Sequence, residues 1–158
     1  MKWVEWLKKW NMSSLKITAP YLEMEFTPQE KDKDAAWELY IEMLTRITTQ
    51  NLLSGHGDEE TALKSIYSIF DLTRNILKTH GRGCMEFTKI AIVVLNQIIR
   101  PFTSKWHRLS LNGAFKDPHK CKEFRKELEY LQEILRNYTK MLSDMAGVED
   151  LTTLEESP

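Results

Sequence analysis

A chain of 158 residues with a hydrophobic fraction of 42% suffices for one domain with a substantial core. Its formal net charge of −1 excludes a global field that attracts nucleic acid, and its two cysteines, Cys84 and Cys121, exclude a disulfide framework. A reducing, cytoplasmic setting is therefore expected. The most apolar window, Ile90–Ile99, is about half the length a membrane span needs, and Met1–Trp10 lacks the apolar run of a signal peptide.

Met1–Trp10 reads as a short amphipathic helix with Trp3, Trp6, Leu7 and Trp10 on one face. Tryptophan is a favoured interface anchor, so Trp3, Trp6 and Trp10 are candidates for partner docking. Between Leu15 and Phe26 the period changes to two, with Leu22, Met24 and Phe26 alternating with Glu23 and Glu25. Pro20 interrupts the stretch, which reads as a short extended arm or hairpin. Thr27-Pro28-Gln29-Glu30 has the form of a capping box. The helix it opens is expected to run to about Gln50, with Trp37, Tyr40, Ile41, Leu44 and Ile47 as its apolar face. Asp32, Asp34 and Glu38 are read as a solvated acidic face of that helix.

Asn51–Gly57 is read as a loop, after which Asp58 caps the next helix. Its expected buried side is Ala62, Leu63, Ile66, Tyr67, Phe70 and Leu77, and His80-Gly81 ends it. A further helix opens at Gly83. Ile90, Ala91, Val93, Val94, Leu95, Ile98 and Ile99 make it apolar nearly all round, so it belongs at the centre of a bundle. Pro101 is expected to kink or stop it, with another helical piece over Phe102–Arg108.

Asp117-Pro118 then starts the longest helix, which Gly147 ends. Cys121, Phe124, Leu128, Leu131, Leu135, Tyr138, Leu142 and Met145 step alternately by three and four, a heptad seam. The predicted fold class is all-α: a bundle of four long helices with a short N-terminal amphipathic helix and a short extended arm. Residues 1–147 are expected to form one domain and residues 148–158 an acidic flexible tail.

That tail holds Glu149, Asp150, Glu155 and Glu156 and no base, so residues 1–147 carry a net charge of about +3. Most of the excess falls between Arg100 and Lys126. Arg100, Lys105, Trp106, His107, Arg108, Lys120, Lys122 and Arg125 combine cations with an aromatic, a composition that binds phosphates and stacks on bases. The plainer alternative is that Phe102 and Trp106 bury one face while the cations extend into solvent. His80, Cys84, His119 and Cys121 offer donor types for a metal, but at no known zinc spacing, so no metal or cofactor is expected.

Arg74-Asn75-Ile76-Leu77-Lys78-Thr79-His80 places a histidine six positions after an arginine with a polar residue between. This resembles the signature of HEPN-type small helical proteins of prokaryotic defence and toxin systems. The resemblance implies a metal-independent ribonuclease that acts at a dimer interface. Arg74 would stabilise charge on phosphorus, His80 would act as acid and base, and Asn75 would orient. Arg100 to His107 has nearly the same spacing, but Pro101 stands where that family carries a polar residue. The leading expectation is a small helical interaction module, a subunit of a larger assembly, that binds a protein partner, itself, or RNA or a nucleotide. The ribonuclease is the alternative.

Overall fold

A computed structural model describes residues 1–46, 52 and 58–154. Expectations for residues 47–51 and 53–57, His56 included, and for Glu155 and Glu156 lie outside the described residues. The chain is all-α. Its helices are α1 (Trp3–Lys9), α2 (Ala19–Leu22), α3 (Glu30–Leu44), α4 (Glu59–His80), α5 (Met85–Val94), α6 (Arg100–Leu111) and α7 (Pro118–Ala146). Among the described residues there is no strand, only an isolated antiparallel bridge between Lys2 and Glu25.

Helix α7 forms the spine of the bundle. Asp117 accepts a hydrogen bond from the His119 N–H, Pro118 follows it, and Gly147 ends the helix at φ +71°. Every seam residue from Phe124 to Met145 is buried, and Gln132, Thr139 and Ser143 are buried beside them. The buried stripe is therefore wider than a two-helix seam, because α3 and α4 both pack against α7.

Helix α3 starts two residues later than the sequence pattern suggests. Thr27 is not its cap. Gln29 is, and the Gln29 N–H donates to Asp32 Oδ2 at 2.8 Å. The buried stripe is Ala35, Ala36, Leu39, Tyr40 and Met43, whereas Trp37 and Ile41 are exposed. The two alanines allow α3 to lie close to its neighbours, which turns the larger Trp37 and Ile41 outward. Asp32 is buried, not solvated: its Oδ1 also accepts from the Phe87 N–H at 3.0 Å, in the first turn of α5.

Pro101 does not stop its helix. Between α5 and α6 the chain widens into one π turn, Leu95–Ile99, in which the Arg100 N–H reaches Leu95 O. The wide turn makes room for the proline ring, and helix resumes at once. The arm is fastened here: Gln97 Oε1 accepts from the Lys16 N–H at 2.8 Å, and Gln97 Nε2 donates to Lys16 O at 2.7 Å. Pro20 lies in the first turn of the short helix α2 within that arm.

The N-terminal helix folds onto the bundle. Trp3 and Trp6 are 2% and 1% exposed, and Trp6 stacks on Phe26 at 3.9 Å between centroids. The Trp3 indole donates to Glu86 at 2.9 Å, and the Trp6 and Trp10 indoles both donate to Asp144 at 2.8 Å. Trp3 and Trp6 are therefore not free to dock a partner: their large apolar area and their N–H groups are both consumed within this chain. Past Gly147 the chain stays on the bundle as far as Leu151. The Leu151 N–H donates to the Tyr40 hydroxyl at 2.7 Å, and that hydroxyl donates to Glu149 O at 3.1 Å.

Candidate binding surfaces on α4, α6 and α7

The basic block does not form one positive surface. On α6 it divides by helical side. Arg100, His107 and Arg108 are exposed, and the first two of these rings and heads meet α4. Lys105 points the other way, to α7, where its ammonium is 2.8 Å from both Glu127 carboxylate oxygens and 3.7 Å from Glu123. The hydrogen bond to Glu127 holds the Lys105 ammonium above the usual lysine range. Lys120 pairs with Glu123 at 3.1 Å, and Arg125 with Glu59 at 2.8 Å. Lys122 is exposed. Trp106, an expected stacking residue, is 0% exposed. It is enclosed by Phe115 and Phe124 at 6.1 and 5.2 Å and cannot meet a ligand. The alternation of Phe102 and Trp106 four residues apart is a buried face, and the cations are its solvated side.

The Arg74–His80 segment also divides. Six residues on a helix turn through about 240°, so Arg74 and His80 lie on different sides of α4. Arg74 leans toward α6, over the Phe70 ring, and pairs with Asp71 at 3.1 Å. Asn75 and His80 lie toward α3. Asn75 lines a groove of about 400 Å³ with Trp37 and Ile41, and His80 Nε2 is 2.9 Å from Glu38 Oε1. His80 is also the last residue of its helix, before Gly81 at φ +64°, where a histidine favours the terminal carbonyls. Cys84 Sγ donates to Gly81 O and Cys121 Sγ to Phe115 O, and among the described residues no three His, Cys, Asp or Glu side chains gather to hold a metal ion.

Two further open surfaces lie among the described residues. One is a groove of about 840 Å³ between the arm, α6 and α7. Ile98, Pro101, Phe102, Leu131 and Ile134 line it, Tyr130 stands at its side 69% exposed, and Lys16, Lys105 and Lys126 edge it. The other is a valley of about 510 Å³ between α4 and α6, which includes Tyr67, Asp71 and His107. Tyr67 was expected on the buried side of α4 but is 55% exposed. Tyr130, Lys16 and Gln97 belonged to no sequence pattern. A signal for the valley does exist: Tyr67 and Arg74 are seven apart, as are Arg100 and His107, so each pair shares one stripe of its helix.

Comparison of the chain with protein-family models, with curated proteins and with solved structures finds no match.

Proposed function

We propose that this chain is a small helical interaction module, one subunit of a larger assembly, that holds a partner protein in the groove between the arm, α6 and α7. The observation that carries the reading is the make-up of that groove. Its floor is apolar, and Lys16 and Lys126 at its edges have no ion-pair partner among the described residues. An amphipathic helix with acidic flanks complements both features: its apolar stripe covers the floor, and its carboxylates meet the lysines. Two synthetic helical peptides test this, each with a leucine stripe, one flanked by glutamates and one by lysines. The acidic peptide is expected to bind, to weaken with salt, and to lose most of its affinity to Lys126→Glu and to Tyr130→Ala. Equal binding of the two peptides, or binding indifferent to both substitutions, overturns the reading. A dimer in sedimentation that Tyr130→Ala dissolves would make the partner a second copy of this chain.

The second reading is the metal-independent ribonuclease. The Glu38–His80 contact favours it, since a carboxylate beside an imidazole orients a general acid–base group. Because Arg74 faces α6, the guanidinium beside His80 would come from a second copy. No cleavage of RNA in EDTA is expected from the isolated chain. Cleavage that His80→Ala and Arg74→Ala each abolish would replace the first reading with this one.

A further inference from the structure

Arg74 and Arg100 come from segments 26 positions apart in sequence, yet both guanidiniums rest on one ring. The Arg74 Cζ is 5.6 Å and the Arg100 Cζ 4.9 Å from the centroid of Phe70, itself only 4% exposed. One carboxylate serves the pair. Asp71 contacts Arg74, and its side chain is 82% exposed, so water screens that contact and an incoming anion readily displaces it. Arg100 has no carboxylate among the described residues. Its Nε donates to Asn96 Oδ1 at 3.2 Å, which leaves its terminal nitrogens to solvent. The pair thus carries more positive than negative charge, and Phe70 holds both planar heads in place before any ligand arrives.

Along the same valley, α4 and α6 run antiparallel, and Tyr67 meets His107 at 6.5 Å between ring centroids. Both are exposed. The line of cations continues at both ends. Lys78 lies one helical turn beyond Arg74 and has no ion-pair partner among the described residues, and Lys64 lines the valley toward its other end.

The geometry points to a binding site for single-stranded nucleic acid that runs along the α4–α6 valley and past its Asp71 end, with backbone phosphates on Arg74 and Arg100 just beyond the valley and a base stacked on Tyr67 beside His107 within it. Guanidiniums match phosphate by bidentate hydrogen bonds, and an exposed ring accepts any base. A strand suits the surface better than a free nucleotide does. Small ligands are held in pockets that enclose most of their surface, whereas this valley is open and its cations extend past the length of one nucleotide unit. Glu60 and Asp71 also face the valley, with Lys64 3.9 Å from Glu60. The surface is separate from the groove beside α7, so this inference does not depend on the partner-protein reading.

The test is fluorescence anisotropy with a labelled twelve-nucleotide oligouridylate, the matching duplex, and adenosine monophosphate as competitor. The single strand is expected to bind, more weakly as salt rises. Arg74→Ala with Arg100→Ala should weaken binding roughly tenfold or more and flatten the log–log salt slope by about 1.4, the contribution of two single-strand phosphates. Tyr67→Ala should weaken it at least several-fold while Tyr67→Phe preserves it, because only the ring is used. Tyr130→Ala, in the other groove, should leave it unchanged. Circular dichroism checks that each variant folds, and Arg100→Glu carries the test if the double variant does not. Absence of binding at low salt, binding that survives loss of both arginines, or equal affinity for the duplex overturns the proposal. Displacement of the strand by stoichiometric adenosine monophosphate overturns the choice of a polymer.

Discussion

Asp32 starts two helices at once. One oxygen accepts from the Gln29 N–H and the other from the Phe87 N–H, so a single buried carboxylate satisfies donors at the N-termini of α3 and α5. Replacing Asp32 by alanine leaves both donors without a partner and should cost roughly 1.5–3 kcal/mol, measured by urea unfolding; asparagine, which keeps one acceptor, should cost less. Tyr138 has a pH signature. Its hydroxyl is fully buried, and loss of hydration pushes its pKa well above the ordinary 10.0. The folded state therefore holds the proton that the unfolded chain releases. The stability that this group contributes is fully present below about pH 10 and falls as the pH rises beyond it. Unfolding measured at about pH 9 and about pH 11 should show a steeper loss in the native protein than in Tyr138→Phe.

At the scale of elements, α7 and the α5–α6 rod dominate the packing for different reasons. α7 is capped at both ends by its own residues and buries a stripe wider than a heptad seam. Leu131→Ala or Leu135→Ala should cost roughly 2–5 kcal/mol, with Leu135, at 0% exposure, toward the upper end. The α5–α6 rod passes a proline without breaking, because the π turn at Leu95–Ile99 spreads the backbone just before it. That turn also presents Gln97 to the arm. Gln97→Ala should release Leu15–Thr18, seen as faster amide exchange at Lys16, while the helices keep their protection. The two sides of α6 then serve two surfaces. Lys105 completes an ion pair with α7, and Arg100 and His107 meet α4.

Across the whole molecule, the two termini hold the bundle from outside. The tryptophan helix closes on α5 and α7 through Glu86 and Asp144, and the chain after α7 returns to α3 at Tyr40. Removing Thr152–Pro158 should leave the melting temperature within a few degrees, since that stretch offers little apolar area to bury. Removing the chain from Glu149 onward should lower it further, because Leu151 goes with it, as do the hydrogen bond that the Tyr40 hydroxyl donates and the one it accepts. Trp6→Ala should cost roughly 3–5 kcal/mol by thermal or urea unfolding, the range for a large buried aromatic, and should leave Asp144 with one indole donor fewer.

The all-α class, the long heptad helix and its two caps, the cap at Asp58 and the stop at Gly81 are all determined by the sequence itself. Each rests on residues within one or two turns of one another, where spacing and backbone preference act without reference to the rest of the chain. Only the tertiary structure decided which sides of those helices meet water. Trp37 and Tyr67 are apolar by type and exposed by placement, Trp106 stands among cations and is enclosed, and Asp32 is charged and buried. The separation of Arg74 from His80, and the meeting of Arg74 with Arg100, follow from the side of α4 that α6 covers. Such contacts join residues from different helices, and periodicity within one helix carries no information about which neighbour packs against it.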